Sequence, residues 1–198
     1  LGNLKINSGK IVSEKKESAI DATTFVLSNG VKVHYKFADK NKKEVELKAE
    51  SFGGTSLYEP QDLPSIGRTT TLAMMSGVGE LSNVDLDKVL KGKIANSSVS
   101  ISSLKETVSG SANVKDIETM MQLVHLRFVQ PRFDNQMYAL LKQRLQNSLK
   151  NRANDINAKM DDSLTAVVYG KNNPRVQPFN QKYIDDLSFD KMKAFYLN

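Results

Sequence analysis

The chemistry open to this chain is bounded by its two histidines, His34 and His125, and by the absence of cysteine. A helix can hold zinc between two histidines four residues apart, with a carboxylate activating the bound water. His34 falls in a strand pattern and His125 in a helix pattern, so they cannot share one helical turn. Without cysteine there is no thiolate zinc site, no disulfide and no thiol nucleophile. Serines are plentiful, but none sits in a Gly-x-Ser-x-Gly elbow, and a serine without an oriented base is a weak nucleophile. The adjacent acids Asp161-Asp162 and Asp185-Asp186 read as residues that cap or precede helices rather than as a general acid/base pair. Met120, Met121 and Met137 fall at helical spacing and read as core filling.

Charge is the next candidate for function. Residues 127–152 hold six cations (Arg127, Arg132, Lys142, Arg144, Lys150, Arg152) and one anion, Asp134, a local balance of +5 against +6 for the whole chain. No aromatic interleaving or reader motif accompanies them, so nucleic acid is not an expected partner. The preferred reading is a solvated basic helix face that contacts an acidic neighbour. With 39% hydrophobic and 25% charged residues over 198 positions, the chain suits one mid-sized domain with a real core. No apolar run approaches the roughly 20 residues a spanning helix needs, and no signal-peptide pattern opens the chain, so no membrane partner is expected. The first residue is Leu1 rather than Met, which suggests a piece of a longer chain.

The elements that must position these residues follow from pattern. Residues 1–20 lack sustained periodicity and read as a linker or lead-in, with the folded unit covering 21–198. Residues 24–27 and 31–37 form a hairpin through Ser28-Asn29-Gly30, where Asn-Gly suits a tight two-residue turn. Val45, Leu47, Ala49 and Ser51 alternate with Glu44, Glu46, Lys48 and Glu50, a third strand ending at Gly53-Gly54. Helices are expected over about 64–76 after Pro64, and from a Ser82 cap to Leu90. Two strands, 94–101 and 103–112, come next. Asn113 caps a helix whose apolar positions are Val114, Ile117, Met120, Met121, Val124 and Phe128. A long helix follows Asp134, with Phe133, Met137, Leu140, Leu141, Leu145 and Leu149 as its stripe, and further helices cover 159–169 and 188–197. Runs of strands followed by runs of helices give α+β, a largely antiparallel sheet with helices packed on one face.

This order resembles the repeat unit of the M16 zinc metallopeptidases, the pitrilysin and insulin-degrading enzyme type, over about residues 21–198. The matching segments are Leu27-Ser28-Asn29-Gly30-Val31-Lys32-Val33, Gly53-Gly54-Thr55-Ser56-Leu57, Gly67 and Gly79 bracketing the first helix, and Pro131-Arg132-Phe133-Asp134 opening the long one. Leu90-Lys91-Gly92-Lys93 and Asp116–Leu123 look most like the second half of bacterial members. In the active half of that family, an inverted HxxEH motif on the first helix binds zinc, and a glutamate on the long helix completes the set. Aligning the bracketing glycines puts the first histidine at Thr70, the glutamate at Ala73 and the second histidine at Met74. Counting from Phe133-Asp134 puts the last ligand near Ser148. No His, Asp or Cys lies between residues 63 and 84, and the only acid there is Glu80, so a small register error does not restore the site.

The resemblance therefore implies a non-catalytic domain, without a cofactor of its own, in a parent whose catalytic half carries the zinc. The implied partners are that catalytic half and a peptide substrate, and the implied setting is periplasmic or otherwise exported. The implied role is chamber wall, substrate contact and structural support. The alternative is a stand-alone protein- or peptide-binding module that kept the fold; a third reading is a polyanion binder using 127–152. In the resembled family a further strand follows the last helix, so the sheet is expected to lack one strand. Its edge is then open to pairing or to cover by Lys10-Ile11-Val12-Ser13.

Overall fold

The computed structural model describes residues 9–39, 43–171, 173–176 and 178–198. Six strands and seven helices are present among them, and the strands are antiparallel throughout. They form two three-stranded sheets rather than one. The first runs β1 (Ile11–Glu17), β2 (Ala22–Leu27), β3 (Lys32–Tyr35), with β2 in the middle. The second has the order β4 (Glu44–Phe52), β6 (Lys105–Asn113), β5 (Ala95–Ile101).

Residues 11–17, read from sequence as part of a lead-in, are thus a strand, while residues 1–8 of that segment lie outside the described residues. β1 pairs with β2, Glu17 opposite Ala22, and not with the second sheet. The β2–β3 turn also differs from expectation. Leu27 N donates to Val31 O at 2.9 Å and Val26 faces Lys32, which leaves a three-residue loop, with Gly30 at φ 85. Positive φ at the third loop position is the geometry a glycine supplies without steric cost.

Helices α1 (Leu63–Ser76), α3 (Ile117–Val129), α4 (Asn135–Arg152) and α7 (Phe189–Leu197) make the helical layer, with α2 (Asn83–Val89), α5 (Ile156–Tyr169) and the unanticipated α6 (Gln181–Asp185) at its margins. Their starts are specified locally. Ser82, Asn113, Asp134, Asp155, Asn180 and Ser188 each accept a backbone N–H of the following turn. Of the acid pairs, Asp185 and Asp186 do close α6, whereas Asp161 and Asp162 lie within α5, where Asp162 pairs with Arg152.

One core joins Leu72, Leu141, Leu145, Ile184, Leu187 and Met192, from α1, α4, α7 and the α6 segment. Each such side chain withdrawn from water contributes roughly 1.5–3 kcal/mol before entropy is subtracted. A second core gathers Val78, Leu86, Leu123 and Leu126. α3 lies close on β6: a Cβ at Gly110 would sit 3.0 Å from Met120. The buried residues of α3 are Thr119, Met120, Leu123, Leu126 and Arg127. This corrects the expected stripe, since Met121 and Phe128 are exposed.

Candidate functional site

α1 is the element on which the zinc-motif positions fall, and its ends are fixed by short-range chemistry. Pro64 occupies the first turn, where no amide donor is needed. At the other end Gly77 has φ 99, and a Cβ there would lie 2.2 Å from Leu81 O, so only glycine fits. The chain then closes a turn in which Val78 N donates to Leu81 O and Leu81 N to Val78 O, each at 3.0 Å, while Gly79 N donates to Gln130 O at 2.8 Å. The hydroxyls on the buried side of α1 are satisfied: Thr69 donates to Ser65 O at 3.0 Å and Ser76 to Leu72 O at 2.8 Å. Ser65 Oγ accepts Ser188 N at 3.0 Å and Ser76 Oγ accepts Asp134 N at 3.1 Å, tying α1 to the starts of α7 and α4.

On this rigid helix Thr70 is half-buried, Ala73 is 1% exposed and Met74 is half-buried, while Ser148 is exposed on α4. Two hydroxyls, a methyl and a thioether do not make a zinc donor set, so these positions do not fit the metal of the resembled family. Among the described residues no three His, Asp or Glu side chains are grouped so as to hold a metal ion. His34 is exposed on β3, its Nδ1 3.0 Å from Thr24 Oγ1 of the neighbouring strand, and His125 is half-buried on α3.

The six cations of 127–152 do not share one face. Arg132 pairs with Asp134 at 3.2 Å, and Arg152 pairs with Asp162. Lys142 lies over the Tyr138 ring, 5.9 Å from its centroid. Arg127 is in the interior: its Nη1 donates to Gly77 O at 2.9 Å, its Nε reaches Ser97 Oγ at 3.5 Å, and burial holds its guanidinium below the usual range. Tyr196 donates to Arg127 O at 3.1 Å, and burial pushes its phenol above the usual range. Asp134 is held below the ordinary carboxylate range, first by the Gln136 amide and also by the Met137 amide and Arg132.

A cavity opens between the second sheet and the helices. Ala49 and Ser51 at the far end of β4, Val99 and Ile101 of β5, Val108 of β6 and Tyr196 of α7 enclose a space of about 350 Å³. Thr70 and Arg127 also reach it. Of the four positions that match the zinc site of the resembled family, Thr70 lines this space and Ala73, Met74 and Ser148 do not. Arg127 was grouped with the basic face, although its spacing from Met120 and Leu123 (seven and four residues) already placed it on the buried side of α3.

No family model matches the chain. It is 25% identical over 192 residues to the probable zinc protease PqqL of Haemophilus influenzae, a match covering 96% of this chain and 20% of that protein. The chain thus spans about a fifth of the length of the curated relative it matches. Among solved structures, the periplasmic protease PqqL from Escherichia coli matches with a TM-score of 0.80 and 20% identity, over 99% of this chain and 22% of that one. The peptidase M16 inactive domain from Pseudomonas fluorescens matches with a TM-score of 0.69 and 16% identity, over 88% of this chain and 42% of that one. The antiparallel sheets and their helical layer share the fold of these M16 peptidase structures.

Proposed function

We propose that this chain, with its M16 repeat fold, acts as a non-catalytic domain of a zinc metallopeptidase. In this reading it supplies chamber wall, substrate contact and structural support to a catalytic half that hydrolyses peptides. The observation that carries the reading is the side-chain set of α1: Thr70, Ala73 and Met74 stand where the resemblance places two zinc-binding histidines and a glutamate. Among the described residues no three His, Asp or Glu side chains are grouped so as to hold a metal ion and activate its water. The similarity to periplasmic and zinc proteases supports a periplasmic or otherwise exported parent. A stand-alone peptide- or protein-binding module is the second reading, favoured by a cavity that the chain forms from its own residues.

Quenched fluorescent peptides test the proposal. The purified chain alone is expected to leave them intact. Mixed with a catalytic M16 half that carries the HxxEH motif, it should raise chelator-sensitive cleavage severalfold. Cleavage by the chain alone overturns the non-catalytic reading, and no effect on the catalytic half, with peptide binding retained, favours the stand-alone module.

A further inference from the structure

The helix-facing side of the second sheet carries a carboxylate that has no ion pair among the described residues. Along β6, Gly110 lies against Met120 of α3, and Ala112 is buried on the same side. Side chains two apart on a strand share a face, so Val108 and Glu106 also point toward the helices. In the register Glu106 stands between Ser51 of β4 and Ile101 of β5, next to the row Ala49, Val108 and Val99, and both rows line the cavity of about 350 Å³. Glu50 belongs to the opposite face, where it pairs with Lys48 at 2.9 Å and Lys105 at 3.1 Å. No such cation meets Glu106. Its Oε1 lies at the Gly53 turn, within 3.1 Å of where a Cβ of Gly53 would be. Arg175, which reaches the residues after that turn, donates instead to Thr55 O at 2.9 Å and Tyr58 O at 3.1 Å.

Apolar and aromatic surface adjoins this charge. Ile66, Val99, Ile101, Val108 and Phe195 line the cavity, and Phe195 meets Tyr58 edge to face with centroids 4.9 Å apart. Burial first, and the Glu106 charge second, push the Tyr58 phenol above its usual range, so the carboxylate acts on that aromatic pair. Arg127 lines the cavity at its other end. Its Nε is at Ser97, four residues along β5 from the Ile101 opposite Glu106, or roughly 13 Å at the rise of a strand. An ammonium at Glu106 is thus well separated from the guanidinium. A carboxylate beside aromatic rings suits an ammonium group, through charge-assisted hydrogen bonds and attraction to the rings. The recess next to it suits an apolar stem withdrawn from water. The volume falls at the small end of the roughly 300–1,000 Å³ typical of ligand pockets, which suits a small molecule.

We propose that this cavity binds a small alkylammonium, its stem against Val99, Ile101 and Val108 and its charged head at Glu106 beside Phe195. The site needs neither a zinc centre nor a catalytic half.

NMR titration of the isotope-labelled chain with hexylammonium chloride, and with hexan-1-ol as the uncharged counterpart, provides the test. The ammonium is expected to shift the methyl signals of Val99, Ile101 and Val108 and to bind about tenfold or more tighter than the alcohol. Glu106→Gln keeps the shape and removes the charge at an exposed position, and should bring the two ligands to equal affinity. Ala49→Phe fills the recess from β4 without touching Glu106, and should weaken both ligands by about tenfold or more. Equal affinity of the unaltered chain for ammonium and alcohol overturns the proposal, as does the absence of methyl shifts with either. An ammonium preference that survives Glu106→Gln overturns it too, because another acid is then the counter-ion. Binding indifferent to Ala49→Phe does the same, since the ammonium then pairs with a surface charge outside the cavity. No peptide and no catalytic half enters this measurement, so its outcome and that of the cleavage test are independent.

Discussion

Ala73 shows why the loss of the zinc motif on α1 is more than a change of three letters. At 1% exposure its methyl fits a closed interface, and α1 is fastened there through Ser65 and Ser76, which accept the amides of Ser188 and Asp134. Restoring the motif by Thr70→His, Ala73→Glu and Met74→His would push a carboxylate into that interface without a partner. A carboxylate that cannot be solvated or paired is strongly disfavoured, so this variant is expected to lose about 2–5 kcal/mol of stability rather than to gain a metal. Chemical denaturation checks the loss, and metal analysis after chelation and zinc re-addition checks the gain. The unaltered chain is expected to hold no stoichiometric zinc. One tightly held equivalent in the unaltered chain would mean that donors other than the α1 positions form a site.

At the scale of elements, the α4 start tests how much a single cap contributes. Asp134 accepts Gln136 N at 2.8 Å and Met137 N at 3.4 Å and pairs with Arg132 at 3.2 Å. Asp134→Ala is expected to cost about 0.5–2 kcal/mol, the usual range for an N-cap. Because the folded carboxyl titrates below its ordinary value, the contribution is present above the unfolded value of about 3.9 and fades as pH falls through the lower folded value. Urea midpoints of the two proteins should therefore differ by a steady amount at neutral pH and converge in acid; a gap that persists at the lowest pH would assign the effect to packing instead. The Ser82 and Asn113 caps are legible in sequence because a cap is a contact between residues two or three apart, and Asp134 and Ser188 cap α4 and α7 in the same way. Of β1 only the start is legible, as the covering segment Lys10-Ile11-Val12-Ser13; its length and its pairing to β2 are not, because Ile11–Glu17 is held by main-chain bonds and leaves its side chains in water, so no alternation marks it. On α3 Arg127 is buried while Phe128 is exposed, the reverse of what residue type alone suggests, so composition does not give its inner face. Thr70, Ala73, Met74 and Ser148 could be named from the resemblance. The cavity at Thr70 could not, since it depends on the far end of β4 being left uncovered by helices.

For the whole molecule, the division into two sheets predicts unequal local stability. In the β1–β2–β3 sheet only Ala22 is fully buried, all four β3 residues are exposed, and Val33 and Tyr35 present apolar surface to solvent. The β4–β6–β5 sheet instead carries α3, with Ser97, Gly110 and Ala112 closed against the helices. Little apolar area is lost when the first sheet opens, so its opening free energy should be far below that of global unfolding. Hydrogen exchange under native conditions is expected to be fastest in residues 11–35, slower in 95–113 and slowest in α1 and α3. Among the described residues no strand pairs with the outer side of β3, and an exposed apolar edge is a template for pairing with another copy. Weak self-association at high concentration is therefore expected, and Val33→Lys should suppress it by placing a charge where a second strand would lie, with little effect on melting. Sedimentation across a concentration series decides: an unchanged mass for both proteins, or equal self-association of the Lys variant, would show that β3 is not the adhesive edge and shift attention to the outer edge of β4.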